Sequence, residues 1–157
     1  MTSKTSAVVV EKNVFKSYWD CLKKYCQFKG RAGRYEYWSF VLVNFIIGCI
    51  IGYIEGIKGE PPAWSGAYSI FVMLPSLAVQ FRRLHDTNHS GWWLGGLLIM
   101  LFVYGVIEGI LEYNGHATNE IFGNIVAILA LVWVIVLLIF YIKKGSAEAN
   151  KYGEQQA

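Results

Sequence analysis

Arg82-Arg83-Leu84-His85-Asp86-Thr87-Asn88-His89-Ser90-Gly91-Trp92-Trp93 is a polar, basic and aromatic stretch between two long apolar runs. It is too short to be a domain, so it reads as a connector, and what it connects decides the fold. Before it, Trp64 to Phe81 carries no charge and is interrupted by Pro75, which predicts a kinked helix. After it, Trp92 to Leu111 carries one acid, Glu108, near its far end. Two further runs complete the pattern: Tyr37 to Ile54, and Ile121 to Ile142, which has no charge at all. Each is long enough to cross a hydrocarbon core of about 30 Å.

The expected fold is therefore all-α: four transmembrane helices, at about 37–54, 64–81, 92–111 and 121–142, packed as a bundle. Residues 13–145 form a single integral membrane domain, with a disordered tail at 1–12 and a polar C-terminal tail at 146–157. Composition agrees. Of 157 residues 55% are apolar and only 16% charged, where a soluble domain carries roughly a quarter. The net charge of +3 is too small and too scattered to argue for nucleic acid. Cys21, Cys26 and Cys49 have no Cys-x-x-Cys spacing and read as free thiols. No signal peptide is expected in residues 1–12, and the apolar runs are expected to direct insertion themselves.

Between Asn13 and Phe28, the residues Phe15, Tyr18, Trp19, Leu22, Tyr25 and Cys26 recur at helical steps, with Lys16, Asp20, Lys23 and Lys24 largely elsewhere. Asn13 is placed to cap this helix. An aromatic face and a lysine face suit an amphipathic helix lying at the membrane interface, although packing on the bundle would serve the same pattern. Gly30 to Arg34 then turns the chain into the first span.

Lysine and arginine set the orientation. The region up to Glu36 carries eight, the Arg82–Gly91 connector two and the segment after Ile142 three, leaving only Lys58 for the other two loops. Basic residues stay on the cytoplasmic side during insertion. Both termini and the connector are thus expected in the cytoplasm. Gly48, Gly52 and Gly56 at the first span repeat every fourth position, and the pairs Gly91/Gly95 and Gly105/Gly109 at the third have the same spacing. Such grooves let helix backbones approach closely. They could serve a homo-oligomer, through Gly48, Gly52, Gly91 and Gly95, or packing within one chain.

The candidate site lies at the cytoplasmic end. Arg31, Arg34, Arg82 and Arg83, with Glu36, Trp38, His85, Asp86, Trp92 and Trp93, could clamp an anionic phospholipid headgroup or a protein partner, because guanidinium forks match phosphate oxygens. The plainer reading is a set of positive anchors beside an aromatic belt. His85 and His89 are four apart, but Thr87 to Gly91 is turn chemistry and no third strong ligand lies near, so no metal and no cofactor is expected. A small transporter or channel subunit is a second reading, carried by four spans, glycine grooves and Pro75. A membrane enzyme using His85 and Asp86 as an acid–base pair is a third, although no nucleophile is placed.

Phe28-x-Gly30-Arg31-Ala32-x-Arg34-x-Glu36-Tyr37-Trp38-x-Phe40, the Arg82 to Trp93 run and Asn150-Lys151-Tyr152-Gly153 together resemble the YhaH-like bacterial inner-membrane proteins, domain-of-unknown-function family 805. The resemblance covers roughly Phe15 to Gly153. It implies a small multi-span inner-membrane protein and supplies no reaction. Two positions depart from the pattern: Asn88 where a small residue or glycine is usual, and Lys151 where the tail motif has arginine.

Overall fold

The structure is a computed structural model, and it describes residues 13–59, 61–116 and 120–153. The tail expected at 1–12 and the last four residues lie outside the described residues. Among those described there are five α-helices and no strand: α1 (Val14–Lys23), α2 (Arg34–Lys58), α3 (Ala63–Asp86), α4 (Trp92–Tyr113) and α5 (Glu120–Ile142). Three of them, α2, α4 and α5, are long and apolar enough to cross a membrane. Helix α3 is as long but more polar, with Ser65, Ser69, Ser76 and Gln80 among its apolar residues.

Each expected apolar run is a helix, and most extend past it. Helix α2 begins at Arg34 and α3 continues to Asp86, so the Arg82–Asp86 part of the connector is the last turn of a helix. The true turn is Thr87 to Gly91. Asn88 sits there at φ 60°, left-handed backbone that asparagine tolerates better than most side chains.

Helix α1 starts where expected. Asn13 Oδ1 accepts the amides of Phe15 at 3.0 Å and Lys16 at 3.4 Å, closing the free N–H groups of the first turn. The helix ends at Lys23, short of Phe28, and packs across α2 and α3. Tyr18 stacks on Phe40 with ring centroids 5.4 Å apart, and Cys21 is fully buried. Phe15 and Trp19, by contrast, are exposed.

The four long helices form two hairpins. α2 and α3 lie together to their far end, where Glu55 Oε1 accepts the amides of Trp64 at 2.7 Å and Ser65 at 3.1 Å. α4 and α5 meet through Gly96 under Trp133 and Gly123 under Tyr104. The hairpins join each other chiefly at the arginine end. There the Tyr37 ring packs tilted against Tyr141 with centroids 4.7 Å apart, the Tyr141 hydroxyl donates to Gln80 at 3.2 Å, and Leu94, Leu97 and Leu137 are buried. Toward the opposite end the helices are largely exposed, among them Ile50, Tyr53, Phe102 and Ile128. Gly91 packs so tightly against the Phe81 ring that no Cβ fits there, and Gly95 lies under Trp92, whereas Gly48 and Gly52 face open space.

Candidate functional site

Two buried ion-pair clusters occupy the joined end. The first is centred on Asp86, at the C-terminus of α3. Its Oδ1 accepts from Arg31 Nε at 2.9 Å and Nη2 at 2.8 Å, and its Oδ2 accepts from Arg83 Nη1 at 2.5 Å. Arg31 is 1% exposed and Arg83 0%, so one carboxylate sits between two guanidinium groups taken out of water. A carboxylate so held is the compensation both cations require, since an unpaired buried charge is far costlier than a buried pair.

The remaining arginine donors go to main-chain carbonyls. Arg83 donates to Tyr141 O from Nε at 3.1 Å and Nη2 at 3.0 Å, and from Nη2 to Lys143 O. The last four carbonyls of a helix have no partner within it, and a cation there also faces the negative end of the helix dipole. Arg83 thus closes the end of α5. Arg31 extends the lock into the tail, donating to Ser146 O at 2.5 Å, Glu148 O at 2.9 Å and Gly153 O at 3.3 Å. The Ser146 amide returns a bond to Asp86 O at 2.9 Å, and Asn150 Nδ2 donates to His85 O at 2.9 Å. Residues 146–153, within the expected polar tail, are therefore docked.

The second cluster is centred on Glu36. Its Oε1 accepts from Arg82 Nη1 at 2.6 Å, Lys24 Nζ at 3.3 Å and the Cys21 thiol at 3.5 Å. Burial, and then the charge of Glu36, pushes the Cys21 thiol up to about 12. It is a neutral donor and not a nucleophile. Arg82 is 1% exposed, and its Nε and Nη2 find no acceptor among the described residues. Its carbonyl accepts the Ala32 amide at 2.9 Å, pinning the turn before α2 against α3.

The histidines serve separate contacts. His85 Nδ1 lies 3.1 Å from Gly30 O, and its ring stacks on Tyr152 at 3.9 Å. His89 Nδ1 lies 3.1 Å from Thr87 Oγ1, and its ring stacks on Phe140 at 3.8 Å. Among the described residues no group of three His, Cys, Asp or Glu side chains could hold a metal. His85 is held below its ordinary value of 6.5, chiefly by burial and further by the Lys151 charge, against the opposing bond to Gly30. As pH falls, the unfolded chain takes up this proton before the folded one. The stability contribution is full above 6.5 and is lost as pH falls from there through the folded value. Acidification from about pH 7.5 to about pH 5.5 should lower the thermal midpoint. A His85→Gln variant should show a shallower slope, and an unchanged slope would acquit this residue.

Of the ten residues singled out from sequence, Arg31, Glu36, Arg82, Arg83 and Asp86 form the two clusters, and His85 flanks the first. The other four lie on the rim. Trp92 is 73% exposed, Trp93 41% and Trp38 39%, and Arg34 is exposed with no ion pair among the described residues. Sequence reasoning missed Cys21, Ser146 and the main-chain carbonyls of the tail. The tail motif Asn150 to Gly153 was the available signal. Its Lys151 lies with Nζ 5.0 Å over the Tyr152 ring and takes no part in the lock.

"Inner membrane protein YhaI" of Escherichia coli strain K12 is 36% identical over 137 residues, 87% of this chain and 91% of that protein. "Inner membrane protein YhaH" of the same strain is 43% identical over 98 residues, 54% of this chain and 81% of that one. The "Uncharacterized protein YiiR" is 27% identical over 128 residues, 81% and 84% of the two chains. No solved structure matches. The family DUF805, described as "Protein of unknown function", matches residues 25–154, and the chain belongs to that family.

Proposed function

We propose that this chain is a four-span protein of the bacterial inner membrane, with 13–145 as one membrane domain and both termini in the cytoplasm. It acts without catalysis, by holding anionic phospholipid headgroups on the rim of its arginine end. Two relatives named as inner membrane proteins and three apolar helices support the location. The pairing of α3 with α2 along their length supports the fourth span, and the crowding of basic residues at one end supports the orientation.

The observation that carries the headgroup reading is the division of labour among the arginines. Arg31 and Arg83 spend their donors on the protein itself, and Arg82 is buried against Glu36. Arg34 is left outward at the start of α2, near Trp38, with Trp92 and Trp93 at the start of α4. A free guanidinium beside indole rings at headgroup depth suits a lipid phosphate. The Asp86 carboxylate is taken by arginine on both oxygens, which leaves His85 without the partner an acid–base role would need. Gly48 and Gly52 remain the face through which a second copy could approach.

Native mass spectrometry of protein released from nanodiscs containing phosphatidylglycerol tests the reading. Arg34→Gln should reduce retained anionic lipid about fivefold, the worth of one cation near an anionic surface. Undiminished retention would remove the headgroup role and leave a protein partner as the occupant of the rim.

A further inference from the structure

At the end away from the arginines, α2 and α3 enclose a lateral groove of about 540 Å³. Ile51 and Ile54 form one wall, Ala67 and Phe71 the other. Lys58 and Trp64 stand at its mouth, beside the turn between the helices. The Glu55 carboxylate, bonded to the first amides of α3, ties the two walls together. From Ile51 to Lys58 the helix rises about 10 Å at 1.5 Å per residue, and Trp64 to Phe71 covers the same height. The groove therefore runs about 10 Å down from the turn, within the roughly 15 Å that one leaflet contributes to the hydrocarbon core.

Lys58 is the one cation at this end, being the one Lys or Arg between Glu36 and Arg82. It is exposed and has no ion pair among the described residues. Trp64 is 69% exposed next to it. A lysine ammonium reaches out of the hydrocarbon while its stem lies along apolar surface, and indole rings settle at headgroup depth. Glu55 lines the same groove but is buried, with Oε1 taken by the Trp64 and Ser65 amides, so the outward charge at the mouth is the Lys58 ammonium. An apolar slot with that cation and an indole at its mouth has the layout of an amphiphile with an anionic head.

The geometry points to a phospholipid site here: one acyl chain lies in the α2–α3 groove and the phosphate meets the Lys58 ammonium. The site is at the opposite end of the helices from the arginine rim; it rests on the four-span reading proposed above but not on any role for that rim.

The test uses the full chain in nanodiscs doped with a phospholipid carrying a photoactivatable diazirine midway along one acyl chain. After irradiation, adducts mapped by peptide mass spectrometry should concentrate on Ile51, Ile54, Ala67 and Phe71. Ala67→Trp, which fills the slot, should abolish that enrichment. Lys58→Gln should reduce it about fivefold, and it removes no packing contact if the first variant fails to fold. Adducts spread evenly over exposed residues such as Phe102 and Leu131 would overturn the proposal in favour of ordinary lipid contact. Cross-links between two copies at the groove would overturn it in favour of a protein occupant.

Discussion

Asp86→Ala is expected to cost about 3–5 kcal/mol of stability, the penalty for removing one side of a buried ion pair. The reason is the arrangement of three groups. Arg31 and Arg83 are both out of water, and the one carboxylate between them accepts from each. Without it, two like charges face each other in a site that solvent does not reach. Unfolding in mixed micelles would measure the loss, and limited proteolysis would show residues 146–153 released, because Arg31 and the Asp86 main chain hold them together. Arg83→Met made in the Asp86→Ala background should recover part of the stability, since removing a buried charge with its partner is far cheaper than orphaning it. A loss below about 1 kcal/mol for Asp86→Ala, the range of an exposed ion pair, would show that water reaches the cluster.

The second large effect is expected at Gly145. A Cβ added there would fall on the Asp86 carboxylate, far inside van der Waals contact with both oxygens. Either the carboxylate leaves its arginines or the chain after α5 is pushed off the site. Gly145→Ala should therefore cost about 1–3 kcal/mol, the usual range for overpacking. It should also speed proteolysis of the tail. Gly145 carries no left-handed backbone requirement, so the effect would report the close approach alone. The same substitution at Gly48 or Gly52, which face open space, should leave stability nearly unchanged. A Gly145→Ala protein as stable as the parent would mean that the tail can repack around the methyl group.

The helices were legible because apolar residues announce themselves by length and lack of charge. Ile121 to Ile142 is the clearest of the four, and Asn13 stands just before a periodic segment, where a cap is expected. The ends were less legible. Arg82 to Asp86 looks like a loop because it is charged, yet it completes the last turn of α3, where Asp86 pairs with Arg31, 55 residues away in sequence, and Arg82 with Glu36, 46 away. Local pattern carries no record of such partners. For the same reason the arginines read as outward anchors, although Arg31, Arg82 and Arg83 are among the largest fully buried side chains described. Only Arg34 takes the exposed position that composition suggests for all four. The acceptors for Arg31 and Arg83 include main-chain carbonyls, which any residue supplies and no motif can display. Asn88 is the reverse case: its type suits its own left-handed backbone at φ 60°.

The lock also imposes an order on biogenesis. Arg31 leaves the ribosome in the first fifth of the chain, but three of its acceptors are carbonyls at Ser146, Glu148 and Gly153. Arg83 likewise waits for Tyr141 and Lys143. Until the last segment is translated, these guanidinium groups have Asp86 as a partner and water for the rest. Closure of the arginine end thus waits for the last segment of the chain. A nascent or truncated chain differs from a finished one at the membrane surface, where its arginines still stand open to solvent.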